Sequence, residues 1–184
     1  MRVISGSLKG RYIRGYDIDG TRPTMDRVKE SIFGSIQNYI KDSIVLDLFA
    51  GSGNLGIEAI SNGCKYCYFI DNNKDVIKIL KKNIEDFKIG DRCSISLDDY
   101  DRALNKFKAN NIKFDIIFID PPYKYQIIEE LIDIINNYGL LSSKGLMVLE
   151  FQNDKIKDEY YDLELLKKKR YGDKYVYIFK NVID

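Results

Sequence analysis

The chain reads as an α/β fold: a mostly parallel, seven-stranded sheet with helices on both faces, a C-terminal antiparallel hairpin and a small N-terminal extension. Three observations predict it. From Ile44 onward, short apolar runs alternate with segments whose apolar residues recur at three- and four-residue spacing, the rhythm of repeated β-α units. After Phe151 that rhythm gives way to two strand-like segments around Tyr171-Gly172-Asp173. Ahead of Met25, Gly6, Gly10, Gly15 and Gly20 interrupt any helical pattern.

The elements follow in order. Residues 1–24 are expected to form an extended lid or hairpin, leaving 25–184 as the main domain. Met25 to Ile40 presents Val28, Ile32, Phe33 and Ile36 on one helical face. The expected strands are Ile44 to Leu48, Tyr66 to Ile70, Cys93 to Leu97, Phe114 to Ile119 and Leu146 to Phe151. Leu55 to Ile60, Val76 to Phe87, Ala103 to Phe107 and Ile127 to Ile135 carry the helical spacing between them. Near-continuous apolar strands joined by helices imply parallel pairing, buried on both faces. Leu163 to Arg170 and Lys174 to Lys180 form the closing hairpin, with alternation visible at Tyr175, Tyr177 and Phe179.

At 184 residues and 45% hydrophobic, the chain has material for one well-buried core and little for a second. Lys plus Arg number 29 against 28 for Asp plus Glu, so only local clustering could favour a polyanion. Cys64 and Cys67 make a C-x-x-C pair within apolar sequence, with no second ligand pair, and are expected to be ordinary buried thiols beside Cys93. Histidine is absent, which excludes Ser-His triads, imidazole metal sites and histidine acid-base chemistry. MRVISGSLKG lacks an apolar signal core and no stretch approaches a membrane span, so a cytoplasmic protein without membrane attachment is expected.

Ligands of open parallel sheets bind beyond the carboxyl ends of the strands, so the residues following each strand carry the functional information. The first strand ends in VLDLFAGSGNLGIEA, where Gly51, Gly53 and Gly56 permit a tight turn and close approach of backbone to ligand. A P-loop is excluded because no Gly-Lys-Ser/Thr follows. Asp47 would oppose a pyrophosphate and suits a cationic or zwitterionic ligand better. Asp71, about twenty residues past the glycine loop, is placed to accept from ribose hydroxyls. Asp98 or Asp99 at the third strand end could accept from an adenine amino group, and spacing to the next helix favours Asp99. Each aspartate taken singly could equally be a helix cap or turn residue.

The fourth strand ends in FDIIFIDPPYKY. Pro121 and Pro122 cannot donate to a sheet ladder and make a stiff exit. From that exit Asp120 and the Pro121 carbonyl can accept from one exocyclic amino group, while Tyr123 offers a ring for a planar base. Rigid acceptors need not reorganise as the amine attacks.

Together these residues resemble the Rossmann-like class I S-adenosylmethionine-dependent methyltransferases. RVISGSLKGR, TRPTMDRVKESIF, VLDLFAGSGNLGIEA, IDPPY and YGDKYVYIF extend the likeness over essentially the whole chain, to the RsmD family of 16S ribosomal RNA guanine-N2 methyltransferases. That resemblance implies S-adenosylmethionine as cofactor and S-adenosylhomocysteine as product, without a metal. It implies a cofactor set of Asp47, Phe49, Gly51, Ser52, Gly53, Asp71, Asn72, Asp98 and Asp99, and a catalytic set of Asp120, Pro121, Pro122 and Tyr123. The implied substrate is 16S rRNA within the 30S subunit or an assembly intermediate, at the guanine commonly numbered 966. Two departures are visible: Asp71 where the family more often has glutamate, and Asn54 where a small residue is usual.

Reaching an exocyclic amino group requires an accessible or extruded base. Lys9, Arg11, Arg14, Arg22 and Arg27, with Arg2 and Lys29, are expected to face RNA phosphates, since they outnumber Asp17, Asp19 and Asp26 in the same stretch. Lys167 to Arg170 reads as an edge strand protected by lysines or as a second basic run. The chemistry of D-P-P-Y serves adenine N6 equally well, so an adenine-N6 methyltransferase acting on DNA or RNA is the alternative enzyme. An RNA-binding ribosome assembly factor is the alternative without catalysis. A monomer is expected because no large apolar face is left unassigned.

Overall fold

A computed structural model describes residues 1–15, 26–122, 127–152, 156–157, 160 and 162–183. Seven strands form one sheet in the order β3-β2-β1-β4-β5-β7-β6. They are β1 (Ile44–Asp47), β2 (Tyr66–Asp71), β3 (Cys93–Leu97), β4 (Phe114–Ile119), β5 (Leu141–Gln152), β6 (Leu163–Tyr171) and β7 (Lys174–Asn181). The first five pair in parallel, and β7 runs antiparallel between β5 and β6. The expected fold class is therefore present, with strand order reversing between β1 and β4.

Alternation along the strands builds two apolar layers. Val45, Phe69, Ile116, Phe118 and Val148 meet helices α1 (Asp26–Ile40), α2 (Asn54–Ser61) and α3 (Lys74–Phe87) on one face. Leu46, Ile70, Ile117, Ile119, Met147 and Leu149 meet α4 (Tyr100–Ala109) and α5 (Ile128–Asn137) on the other. Two helices start on the short polar side chains that favour N-caps: Asn73 Oδ1 accepts from the Asp75 and Val76 amides, and Asp99 Oδ1 from that of Asp101. α2 packs so closely on β2 that a Cβ at Gly56 would lie 2.2 Å from the Phe69 ring. None of the helices among the described residues is long and apolar enough to cross a membrane.

The expected β5 was too short at its amino end. Ser142, Ser143, Lys144 and Gly145 show no apolar alternation, yet they belong to the strand, because a register shift opposite Phe114 to Ile116 and a left-handed Lys144 (φ 61) absorb the irregularity. β6 is an edge strand, and part of its basic run makes contacts within the chain. Lys167 Nζ donates to the Ser31 and Ser35 hydroxyls on α1, while Lys169 and Arg170 lie over the rings of Tyr171 and Tyr175. All three cysteines are buried thiols, and burial raises Cys64 to about 12 and Cys93 to about 11.

Within 1–15 the chain doubles back on itself. The Val3 amide donates to the Arg11 carbonyl at 3.0 Å and the Gly10 amide to the Val3 carbonyl at 2.8 Å, which turns Val3 and Ile13 into the core. What fastens this hairpin is Glu58, fully buried in the middle of α2. Its carboxylate accepts from the amides of Ile4 and Ser5 and from the Ser5 hydroxyl, and it pairs with Lys29 Nζ at 3.1 Å. Lys29 donates also to the Arg2 carbonyl (2.6 Å) and to Asn54 Oδ1 (2.8 Å). The expectation that Lys29 faces phosphate is thus corrected: its ammonium is wholly enclosed, with three acceptors around it.

Candidate active site

The glycine loop leaves β1 and returns into α2 as a tight turn. The Gly53 amide donates to the Ala50 carbonyl at 2.8 Å, and Gly53 (φ 87) holds a backbone conformation that L-residues avoid. A Cβ there would meet Leu80 at 2.5 Å. Below the loop lies Asp47, 2% exposed, accepting from the Gly56 amide at 2.9 Å. Burial, reinforced by the Asp71 charge and only partly offset by that hydrogen bond, lifts its carboxyl to about 7. A carboxylate so strained by desolvation favours a cation beside it.

Asp71 braces the same loop from β2. One carboxylate oxygen accepts from the Gly51 amide and the other from the Asn73 amide, both at 2.9 Å. Half-burial raises its pKa as well, against those hydrogen bonds. Each oxygen retains acceptor capacity for a hydroxyl donor. Past β3 the two candidate acids have separated. Asp98 is buried and held by Lys106 and, at 3.5 Å, by Arg102, so its charge is already matched within the chain. Asp99 is exposed, caps α4 and lies 3.4 Å from the Asn72 amide nitrogen. Phe49 and Tyr100, ring centroids 5.9 Å apart, are half-buried at the same end.

Asp120 follows β4 directly and is half-exposed, with Pro121 buried and Pro122 half-exposed behind it. The Asp47 to Phe118 register sets this exit beside the glycine loop, where strand order reverses. Tyr123 and Arg22 lie outside the described residues.

The basic N-terminal residues divide. Arg11 donates to the Asp86 and Phe87 carbonyls and lies 4.4 Å over the Phe87 ring, and Arg14 pairs with Asp86 at 2.9 Å. These two clamp the hairpin to the end of α3, which was not expected of them. Lys9 and Arg27 are exposed.

Asn83 on α3 escaped the sequence reading. Almost fully buried, it exchanges hydrogen bonds with the Arg14 backbone (3.0 and 3.1 Å) and donates to the Ser52 carbonyl at 2.9 Å. The signal was there: an amide on the apolar stripe between Leu80 and Phe87, as Glu58 is an acid in a wholly buried helix. At the opposite end of β1 and β4 a polar cleft of about 190 Å³, lined by Lys41, Asp42, Asp115 and Ser142 among others, lies away from these groups.

A family model described as Conserved hypothetical protein 95 matches residues 1–180. YlbH of Bacillus subtilis is 40% identical over 181 residues, covering 98% of each chain. The ribosomal RNA small subunit methyltransferase D of Haemophilus influenzae is 34% identical over 172 residues, 94% of this chain and 89% of the relative. Among solved structures, YhhF of Escherichia coli superposes with a TM-score of 0.85 at 30% identity, over 98% of this chain and 97% of that one.

Proposed function

The chain belongs to the RsmD family, the family of that model and of those rRNA methyltransferases, and we propose that it methylates the exocyclic N2 of a guanine in 16S rRNA. S-adenosylmethionine, the donor, supplies a methyl carbon made electrophilic by its sulfonium sulfur. Asp47 offers the buried negative charge that such a cation requires, and the glycines of the loop let main chain approach the ligand closely. Asp71 accepts from the ribose hydroxyls; Phe49 and Tyr100 flank the adenine, with Asp99 rather than the ion-paired Asp98 at its amino edge.

Asp120 and the Pro121 carbonyl receive the two N–H bonds of the target amine. Guanine N2 is a poor nucleophile because its lone pair is delocalised into the ring. Orienting both hydrogens toward fixed acceptors frees the pair for in-line attack. Transfer would form the N–C bond as the C–S bond breaks, with the electron pair kept by sulfur and one amino proton passed to water, while Asp120 holds that N–H in place until it leaves. The observation that carries this reading is the stiff Asp120-Pro121-Pro122 exit one step beyond β4, at the reversal of strand order and beside the glycine loop.

The N-terminal segment 1–24 serves in this reading as an RNA-facing lid over 25–184, and Lys9 and Arg27 meet phosphate. The substrate is the 30S subunit or an assembly intermediate, met by a monomer in the cytoplasm, and the family's target position is guanine 966. Purified protein with labelled donor is expected to mark one guanine N2 in 30S particles lacking the modification, mapped by nucleotide. Asp120→Ala should lower the rate by about 10²–10⁴-fold while donor affinity persists. Labelling of adenine N6 instead would replace this reading with the adenine enzyme.

A further inference from the structure

Glu150 and Lys174 have no role in the chemistry above, yet they form a buried ion pair at 1% and 4% exposure. The pair is incomplete. Glu150 Oε1 takes the Lys174 ammonium, while Oε2 is enclosed without a hydrogen-bond partner. A carboxylate oxygen kept dry and unpartnered is a standing cost that an apolar side chain of similar volume would not incur. Such an atom calls for a donor that none of the described residues supplies.

Its position says which donor. β4 and β5 are parallel, with Ile119 opposite Leu149 as the last pair, and continuing that register by one residue brings Asp120 level with Glu150. In both strands the residues two and four positions earlier, Phe118 with Val148 and Ile116 with Leu146, face the α1–α3 layer. Asp120 and Glu150 therefore share that face at the carboxyl ends of neighbouring strands, which lie about 4.8 Å apart. A base whose 2-amino group rests on Asp120 and Pro121 presents ring nitrogen N1 next to that amine. In guanine N1 carries a hydrogen; in adenine and 2-aminopurine it carries a lone pair.

We propose that Glu150 accepts the N1–H of the target guanine and is the residue that selects guanine at this site, with Lys174 anchoring its other oxygen. This deepens, and rests on, the guanine-N2 reading. An ionised carboxylate only accepts, so it rewards N1–H and repels an N1 lone pair. Because the oxygen is already stripped of water in the folded chain, pairing it removes no further solvent. Sites that bind a substrate hydrogen reject analogues lacking it far more strongly than pockets that only fit shape.

The test uses the full chain and 30S particles reconstituted with 16S rRNA bearing guanine or 2-aminopurine at the target position; both bases offer the same 2-amino group. Wild type should methylate guanine faster by roughly 10–100-fold, the worth of one hydrogen bond to a charged acceptor. Glu150→Gln keeps the volume and can turn an amide N–H toward a bare N1. It should narrow or invert that ratio, with donor affinity unchanged. Equal rates on both bases by wild type, which needs no variant to fold, would overturn the proposal and leave guanine-N2 transfer standing. An unchanged ratio in a folded Glu150→Gln protein would do the same. Labelling of adenine N6 by wild type would overturn both.

Discussion

Asp47, set against the donor in the proposed reading, would tie ligand binding to stability. Its carboxyl ionises near 3.8 when unperturbed and at about 7 in the folded chain. Between those values the folded protein holds a proton that the unfolded chain has released, so stability falls as pH rises through that window and stays lower above it. Asp47→Asn should raise the unfolding free energy of the donor-free protein by on the order of 2–4 kcal/mol at pH 8 and change it little at pH 4.5. Urea titrations at the two pH values check this. The same substitution should abolish donor binding in calorimetry, because the amide cannot answer a cation. At this scale the sequence was only partly legible. It shows an acid before a glycine loop, but the burial that lifts Asp47 is a product of the folded chain, and the Asp71 charge that adds to it comes from another strand. Asp98 and Asp99 could not be told apart until α4 brought Lys106 and Arg102 to one of them.

Among the elements, α2 is the one most committed to its neighbours. All eight of its residues are buried, and its single acid binds the N-terminal hairpin while its first residue meets Lys29 from α1. Lys29→Met leaves Glu58 enclosed without its cation, which should cost about 3–5 kcal/mol and loosen residues 1–15. A lowered urea midpoint together with faster proteolysis near the N-terminus would register both effects. Lys29→Met combined with Glu58→Gln should recover part of the loss, since it removes both charges. Helices and parallel strands were readable here because their periods differ and each buries one stripe or both faces. The amino half of β5 was not, since a bulged strand near a sheet corner needs no alternation. Lys29 was misassigned because counting charges along the N-terminal stretch cannot reveal that a buried acid on α2 pairs with one of them.

For the whole molecule, a net charge of +1 means that RNA affinity must come from the distribution of charge rather than its sum. Arg11 and Arg14 spend their donors on the end of α3, whereas Lys9 and Arg27 point to solvent. Lys9→Ala and Arg27→Ala should each weaken 16S rRNA binding and reduce the slope of log affinity against log salt by about 1. Arg14→Ala should act chiefly on thermal stability. Filter binding at several salt concentrations, alongside melting curves, separates the two classes.

Asn83 accepts from the residue 14 amide through Oδ1, and its Nδ2 donates both to the carbonyl of that residue and to the carbonyl of Ser52. In the proposed reading the covering segment and the donor cradle would thus be pinned through one side chain, so that a shift of either is felt by the other. Thermodynamic reciprocity then sets a rule: whatever an occupant of the cradle adds to the grip on nucleic acid, nucleic acid must add in equal measure to the grip on that occupant.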